Sequence, residues 1–470
     1  MRPLPRPRLI TFLGILIIAF VLFSRAFTYE YFIFDDGFHV WANPNLNPVS
    51  WASLKWIWTH SLTPVIYTFW ATIAALSPVG TQSPFPFRFA SLLLHAVNSY
   101  LVFTCLRNFL PIVCGLMDPQ TPRAQNDTKE IDVASVVGAM IFLLHPVQVE
   151  TIVWVSSAKD LLSFFFAILA FRYYLHLRTG KEEKRFAIGK TLLLNALVLA
   201  AAMCKISGAI ILGVFFWLDI SLFKRPVKRA FLNMLPLVAV GLVGILLLRQ
   251  TLPISYQRIV PSWPWKFAIA LDAVQFSFTK LLIPFNYHFD YGKTPASVMI
   301  SYQRELGWNL IIAVSTLILV TVAALAIRVP KFKSAHFALV FILIALFPSL
   351  GFIPFVHQNI STVADRYLYL PSFGLSLGLA LIFLHAYRRR KTFALGVSLM
   401  LLTLMGGITY FQVELWRDSA TQINYALSDN PNSYVLHKSL SEVYLKQGKK
   451  QAAQEEGGLA EYLRAENQSP

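Results

Sequence analysis

FIFDDGFHVWANP, residues 32–44, follows the first long apolar segment of the chain. Two adjacent carboxylates, Asp35 and Asp36, sit there among Tyr29, Tyr31, Phe32, Phe34, Phe38 and Trp41. A pocket at a membrane face that abstracts a proton or holds a cation is built from such neighbours, because apolar walls perturb a carboxylate. An interfacial aromatic belt carrying two solvated aspartates has the same composition. On this stretch alone both readings stand.

Working outward, the composition decides the class. The chain has 470 residues, of which 56% are hydrophobic and only 14% charged. Soluble domains carry roughly 25% charged residues. Apolar runs long enough to cross a bilayer recur from end to end, which predicts an all-α polytopic membrane protein. The net charge of +17 is therefore no nucleic-acid signature. Its lysines and arginines collect in short clusters between apolar runs, where they set orientation. Cys105, Cys114 and Cys204 show neither metal nor disulfide spacing and read as packing residues. The first apolar segment reads as a retained helix rather than a signal peptide, being long and lacking a small-residue cleavage site.

Three arginines within residues 1–8 place the N-terminus in the cytoplasm. A first span at about 9–27 then delivers Asp35 and Asp36 to the other face. In the long loop that follows, 51–60 (WASLKWIWTH) and 63–76 read as helices lying in the interface. Further spans read at about 87–110, 133–144, 157–177, 186–203, 206–223, 232–248, 309–327, 336–352, 371–387 and 392–411, about eleven in all. The third stops at His145-Pro146, since proline forbids a regular continuation. The clusters 178–185 (RTGKEEKR), 224–229 (KRPVKR), 328–333 and 388–391 (RRRK) all fall on the cytoplasmic side. A crossing at 267–285 would put the later clusters outside, so that segment reads as re-entrant or interfacial.

The expected division is a membrane domain over 1–415 and a short extracytoplasmic tail over 416–470. Ala426 and Ala460 lie 34 residues apart, and Tyr444-Leu-Lys-Gln-Gly448 precedes Ala452-Ala453, as in a tetratricopeptide-like helix-turn-helix. About one and a half such units are too few for independent stability. The tail is expected not to fold alone and to be dispensable for cleavage of the donor.

Four further clusters fall on the face that carries Asp35: His145 with Glu150, Lys159 with Asp160, Lys205 alone in a tight turn, and Asp365-Arg366-Tyr367. Each taken singly also reads as snorkelling, helix-end pairing or interface anchoring. Jointly they offer both signs of charge beside lipid, where ionisable groups cost about 2.5–3.5 kcal/mol on insertion scales. Carboxylates suit a general base or a metal, and Arg and Lys suit a phosphate. That combination fits a transferase whose donor is a lipid phosphate.

FIFDDGFHVWANP (32–44), FRFASLLLHAVNSYLVF (87–103), LHPVQVETIVWVSSAKDLLS (144–163), CKISGAIILGVFFWLDIS (204–221), LLIPFNYHFDYG (281–292) and ADRYLYLPSFGL (364–375) together resemble the C-type glycosyltransferase superfamily. Within it the chain is most similar to bacterial relatives of the transmembrane and tetratricopeptide-repeat O-mannosyltransferases. The repeat region is nearly absent, and the Cys204-Lys205-Ile206-Ser207 turn lacks an expected Lys-Pro. The resemblance implies a bacterial inner-membrane enzyme with its site on the extracytoplasmic face. The sugar of a polyprenyl-phosphate donor passes, with inversion, to a hydroxyl on a protein or glycan acceptor. Asp35 is expected to act as base, with Asp36 as its partner or as the ligand of a divalent metal. Arg366 leads the donor-phosphate contacts, followed by Lys159 and Lys205. His145, Glu150, Asp160, Asp365 and Tyr367 are expected to shape the acceptor side. A transporter or flippase of a lipid-linked sugar also places charges between helices, but the inverted repeats it calls for are not visible in the sequence. A scaffold docking through its tail needs neither sign of charge.

Overall fold

The computed structural model describes residues 6–115, 125–180, 188–232, 234–235, 261–304, 314, 333–352 and 356–466, with no strand among them. The N-terminal part runs α1 (Arg6–Phe23), α2 (Trp51–His60), α3 (Pro64–Leu76), α4 (Phe85–Val113), α5 (Gln125–Leu144), α6 (Val149–Val153), α7 (Ala158–Thr179), α8 (Ile188–Cys204) and α9 (Ile211–Ser221). It continues with α10 (Trp263–Leu282), α11 (Pro295–Arg304), α12 (Lys333–Leu346), α13 (Pro371–Arg389) and α14 (Lys391–Glu414). The tail is α15 (Ser419–Asp429), α16 (Tyr434–Lys446) and α17 (Lys450–Glu466).

Four helical stretches among the described residues are long and apolar enough to cross a membrane: Arg8–Thr28, Phe85–Val113, Val155–Thr179 and Lys391–Glu414. A fifth is the pair Asp127–Leu144 and Pro146–Val153, bent by 50° at the His145-Pro146 break. The chain is a multi-pass membrane protein. The expected count of eleven is not reached among the described residues, for two reasons. The readings at 232–248 and 309–327 fall almost wholly outside them. Others form helices that are too short, as at Gly189–Cys204, Ile206–Ser221 and Ser334–Ser349, or too polar. Thus α13 carries Ser372 and Ser376 on its buried side and arginines in its last turn, and packs inward on α5 and α12. The segment read as re-entrant forms α10 and is not among the candidate spans.

Helix α4 is the hub, packed against α1, α5 and α7. Small residues permit the tightest approach. A Cβ on Gly138 of α5 would lie 2.5 Å from Leu106 Cδ1 and 3.0 Å from the Ala380 Cβ, so glycine lets α4, α5 and α13 meet closely. At one end of the bundle, Arg178 of α7 and Asp219 of α9 form a buried ion pair at 2.6 Å. Tyr174 donates to the same aspartate at 2.7 Å.

The tail packs against the opposite end. Ile33 N–H donates to Ser419 Oγ at 3.0 Å, and Phe32 lies against Trp416 with ring centroids 5.3 Å apart. The first loop and the tail therefore lie at the same end of the helix bundle. Helices α16 and α17 pack on each other as a hairpin, with Gly448 at φ +74° closing α16. That conformation costs glycine least.

Candidate functional site

Asp35 and Asp36 lie in a turn. Asp36 has φ −63° and ψ −30° and opens a π-helical turn, Gly37–Trp41. The two carboxylates nevertheless part company. Asp36 is fully buried. Its Oδ2 accepts from Phe32 N–H at 2.9 Å, and its Oδ1 accepts from Ser156 N–H at 2.8 Å and Ser156 Oγ at 2.6 Å. Burial pushes its carboxyl up to about 6, against the Ser156, Phe32 and Arg88 groups that favour the ionised form. Asp36 thus clips the first loop to the turn after α6. Arg88 reinforces the clip, donating from Nε to Val153 O at 2.9 Å and to the Ala26, Tyr29 and Glu30 carbonyls.

Asp35 is half-buried, and its carboxylate makes no hydrogen bond or ion pair among the described residues. Its backbone carbonyl accepts from His39 N–H at 3.0 Å. The His39 ring meets the Tyr67 hydroxyl through Nδ1 at 2.8 Å and lies against Trp70. Burial, then the charge on Lys159, holds His39 down to about 3, so its imidazole is neutral.

Lys159 does not pair with its neighbour Asp160. Instead Asp160 takes Lys205 at 2.5 Å, so the lysine expected to stand alone is the committed one. The reason is directional: side chains adjacent on a helix diverge. Asp160 points across α7 to the turn after α8, and the Lys205 ammonium also lies 4.9 Å from the Tyr367 ring centroid. Lys159 makes no hydrogen bond, and no ion pair within 4.0 Å, among the described residues. The charges of Asp35, Lys205, Arg366 and Asp160 all act on it.

Arg366 is buried and held on several sides. Its guanidinium forms a close ion pair with Glu150, and its backbone N–H donates to Glu150 Oε2 at 3.2 Å. A second guanidinium nitrogen donates to His357 Nε2 at 2.6 Å. A guanidinium only donates, so His357 accepts and carries its proton on Nδ1. Burial and the Arg366, Lys159 and Lys205 charges hold His357 well below the usual histidine range. Burial opposes the charge on Arg366, yet Glu150 keeps its guanidinium raised above the ordinary value. Trp154 and Tyr367 flank it, each ring centroid 5.1 Å away. Asp365 turns away from Arg366 and accepts from the Tyr291 hydroxyl at 2.7 and 2.9 Å. Burial and the charge on Glu150 push Asp365 well above the carboxylate range.

His145 belongs to the framework. Its Nδ1 accepts from Val147 N–H at 3.2 Å and its Nε2 donates to Leu281 O at 3.0 Å, so it caps the helix break and ties it to α10. The expected metal ligand, Asp36, already has both oxygens occupied by three donors. No group of three metal-binding side chains occurs among the described residues. Sequence reasoning passed over Ser156, His357, Tyr291, His39 and Tyr67. Arg88 alone carried a usable signal, as a charge entering an apolar helix.

The fold and the site together define a multi-pass helical membrane protein with acidic and basic side chains gathered at the face shared by the first loop and the tail. The chain is similar to human protein O-mannosyl-transferase TMTC4, with 23% identity over 93% of this chain and 64% of that protein. It is also similar to the Caenorhabditis elegans protein O-mannosyl-transferase F38B6.6, with 24% identity over 65% of this chain and 42% of the relative. It thus spans less than two thirds of the length of each. No protein-family model matches the chain, and no solved structure matches it significantly.

Proposed function

We propose that the chain is a membrane glycosyltransferase that moves a sugar, mannose by analogy with its relatives, from a polyprenyl phosphate to a hydroxyl on a protein or glycan. One observation carries this reading. Among the described residues the Asp35 carboxylate and the Lys159 ammonium each make no hydrogen bond and no ion pair within 4.0 Å, yet the charge of Asp35 acts on Lys159. Such a gap suits an acceptor hydroxyl on the acidic side and an anion on the basic side.

The acceptor oxygen attacks the anomeric carbon and gives its proton to Asp35. The bond from that carbon to the phosphate oxygen breaks, and the electron pair leaves with the polyprenyl phosphate. Attack from the face opposite the leaving group inverts the centre. A phosphate leaves without needing a proton, so fixed positive charge matters more than a second acid. Of the three cations Lys159 alone has no carboxylate within 4.0 Å among the described residues, and it is the leading phosphate contact. Arg366 and Lys205, each with its own carboxylate, shape the field behind it. Lys159→Ala is expected to weaken binding of polyprenyl-phosphate mannose at least about tenfold while leaving thermal stability unchanged. Unaltered donor binding in that variant removes Lys159 from the site.

We place the chain in a bacterial inner membrane on the resemblance set out above, with the first loop and the tetratricopeptide-like tail extracytoplasmic. The basic clusters support that orientation. Reporter fusions after Arg178 and Arg390 are expected to report the cytoplasm, and fusions near Thr63 and after Asp418 the outside. A cytoplasmic signal after Asp418 contradicts the orientation.

A further inference from the structure

The tail touches both halves of the site. On one flank, Arg417 O accepts from Glu30 N–H at 3.3 Å, Ser419 Oγ accepts from Ile33 N–H at 3.0 Å, and Trp416 packs on Phe32. These contacts fall within five residues of Asp35 or closer. On the other flank the tail grips the loop over residues 286–292. Asp429 meets His288 Nε2 at 2.8 Å, and Ser433 Oγ donates to Asp290 Oδ2 at 2.9 Å. Gly292, at φ +62°, is packed so closely on Asn430 that a Cβ would lie 2.3 Å from its side chain.

The gripped loop leads into the charged cluster. His288 N–H donates to the Tyr291 hydroxyl at 3.0 Å, and that hydroxyl gives its one proton to Asp365, next to Arg366. Gln412, at the end of α14, donates to Tyr287 O at 2.7 Å and closes the loop from below. A continuous series of hydrogen bonds therefore runs from α15 and the start of α16, through Tyr291, to the Asp365-Arg366 turn.

We infer that the tail is a positioning element of the site, bracing the Asp35 loop on one flank and, through Tyr291, the Arg366 turn on the other. This rests on the transferase reading above and replaces the expectation that the tail is dispensable for donor cleavage. The tail sets the spacing between the base and the buried cation. Misplacement by about 1 Å costs on the order of 100-fold in rate, so loosening the brace lowers turnover even for an acceptor too small to touch the tail.

The test uses the full chain in three forms: Asp429→Ala with Ser433→Ala, which frees the loop; Tyr291→Phe, which keeps the tail docked but removes the hydroxyl; and Tyr462→Ala, on an exposed face of α17, as control. Amide hydrogen exchange over 286–292 and 364–369, measured without donor, is expected to quicken at least about tenfold in the double variant and to stay unchanged in the control. Tyr291→Phe should quicken 364–369 alone. With polyprenyl-phosphate mannose and a short serine peptide, kcat should fall at least about tenfold in the first two variants with acceptor KM unchanged. Ser433→Thr should retain wild-type values. Unchanged exchange at 364–369 overturns the inference, as does a defect confined to acceptor KM, which makes the tail an acceptor-binding surface only. If the wild-type chain transfers no sugar, the transferase reading fails and the exchange data alone decide the brace.

Discussion

Asp35→Asn is expected to lower turnover by at least about 100-fold, since general-base catalysis contributes about 10²–10⁴-fold. The replacement is nearly isosteric and removes the basic oxygen. Because the Asp35 carboxylate has no partner among the described residues, the variant should fold, melt and bind donor as the wild type does. Asp36→Asn is expected to fail differently. Its amide nitrogen must face at least one of the donors from Phe32 and Ser156. A buried donor left without an acceptor costs about 1–3 kcal/mol. Loss of thermal stability should therefore accompany any loss of activity in Asp36→Asn and be absent in Asp35→Asn. Thermal melts of both variants beside single-turnover rates check this. Equal melting losses in the two remove the division of labour between the aspartates.

Breaking the Arg366–Glu150 pair should have the largest effect on stability. Both side chains are buried, and removing one partner of a buried ion pair costs about 3–5 kcal/mol because the other charge is stranded. Glu150→Ala and Arg366→Ala are each expected to lower the melting temperature sharply and reduce the amount of inserted protein. The double replacement Glu150→Leu with Arg366→Met strands no charge, and such apolar exchanges are often neutral. Melting should recover in it while donor binding and turnover stay low. Activity that returns with stability assigns Arg366 a purely structural role. Arg366→Lys keeps the charge but loses the fork that reaches Glu150 and His357 together, and should fall between.

The class of the fold was plain in the sequence because hydropathy reports it directly. The break at His145-Pro146 was legible too, since proline cannot donate, and the 50° bend lies there. The helices α2 and α3 begin and end within a residue of their expected limits. What failed were partnerships. Lys159-Asp160 and Asp365-Arg366 are neighbours in sequence but point apart, and three of the four take a partner more than 40 residues away: Asp160 with Lys205, Arg366 with Glu150, Asp365 with Tyr291. Adjacency carries no information about contacts that only packing of separate helices creates. The docking of the tail was hidden for the same reason. Residues 434–466 form a helical hairpin, but repeat spacing said nothing of the Asp429–His288 and Ser433–Asp290 contacts.

The central claim is that a hydroxyl and a lipid phosphate meet between Asp35 and Lys159. The most direct measurement is transfer in proteoliposomes holding the purified chain and polyprenyl-phosphate mannose labelled in the sugar, with a serine peptide supplied at the face of the first loop. The account predicts labelled peptide and an equal amount of free polyprenyl phosphate from the wild type. It predicts at least about 100-fold less of both from Asp35→Asn, with the donor still bound. Transfer by Asp35→Asn at the wild-type rate would contradict it.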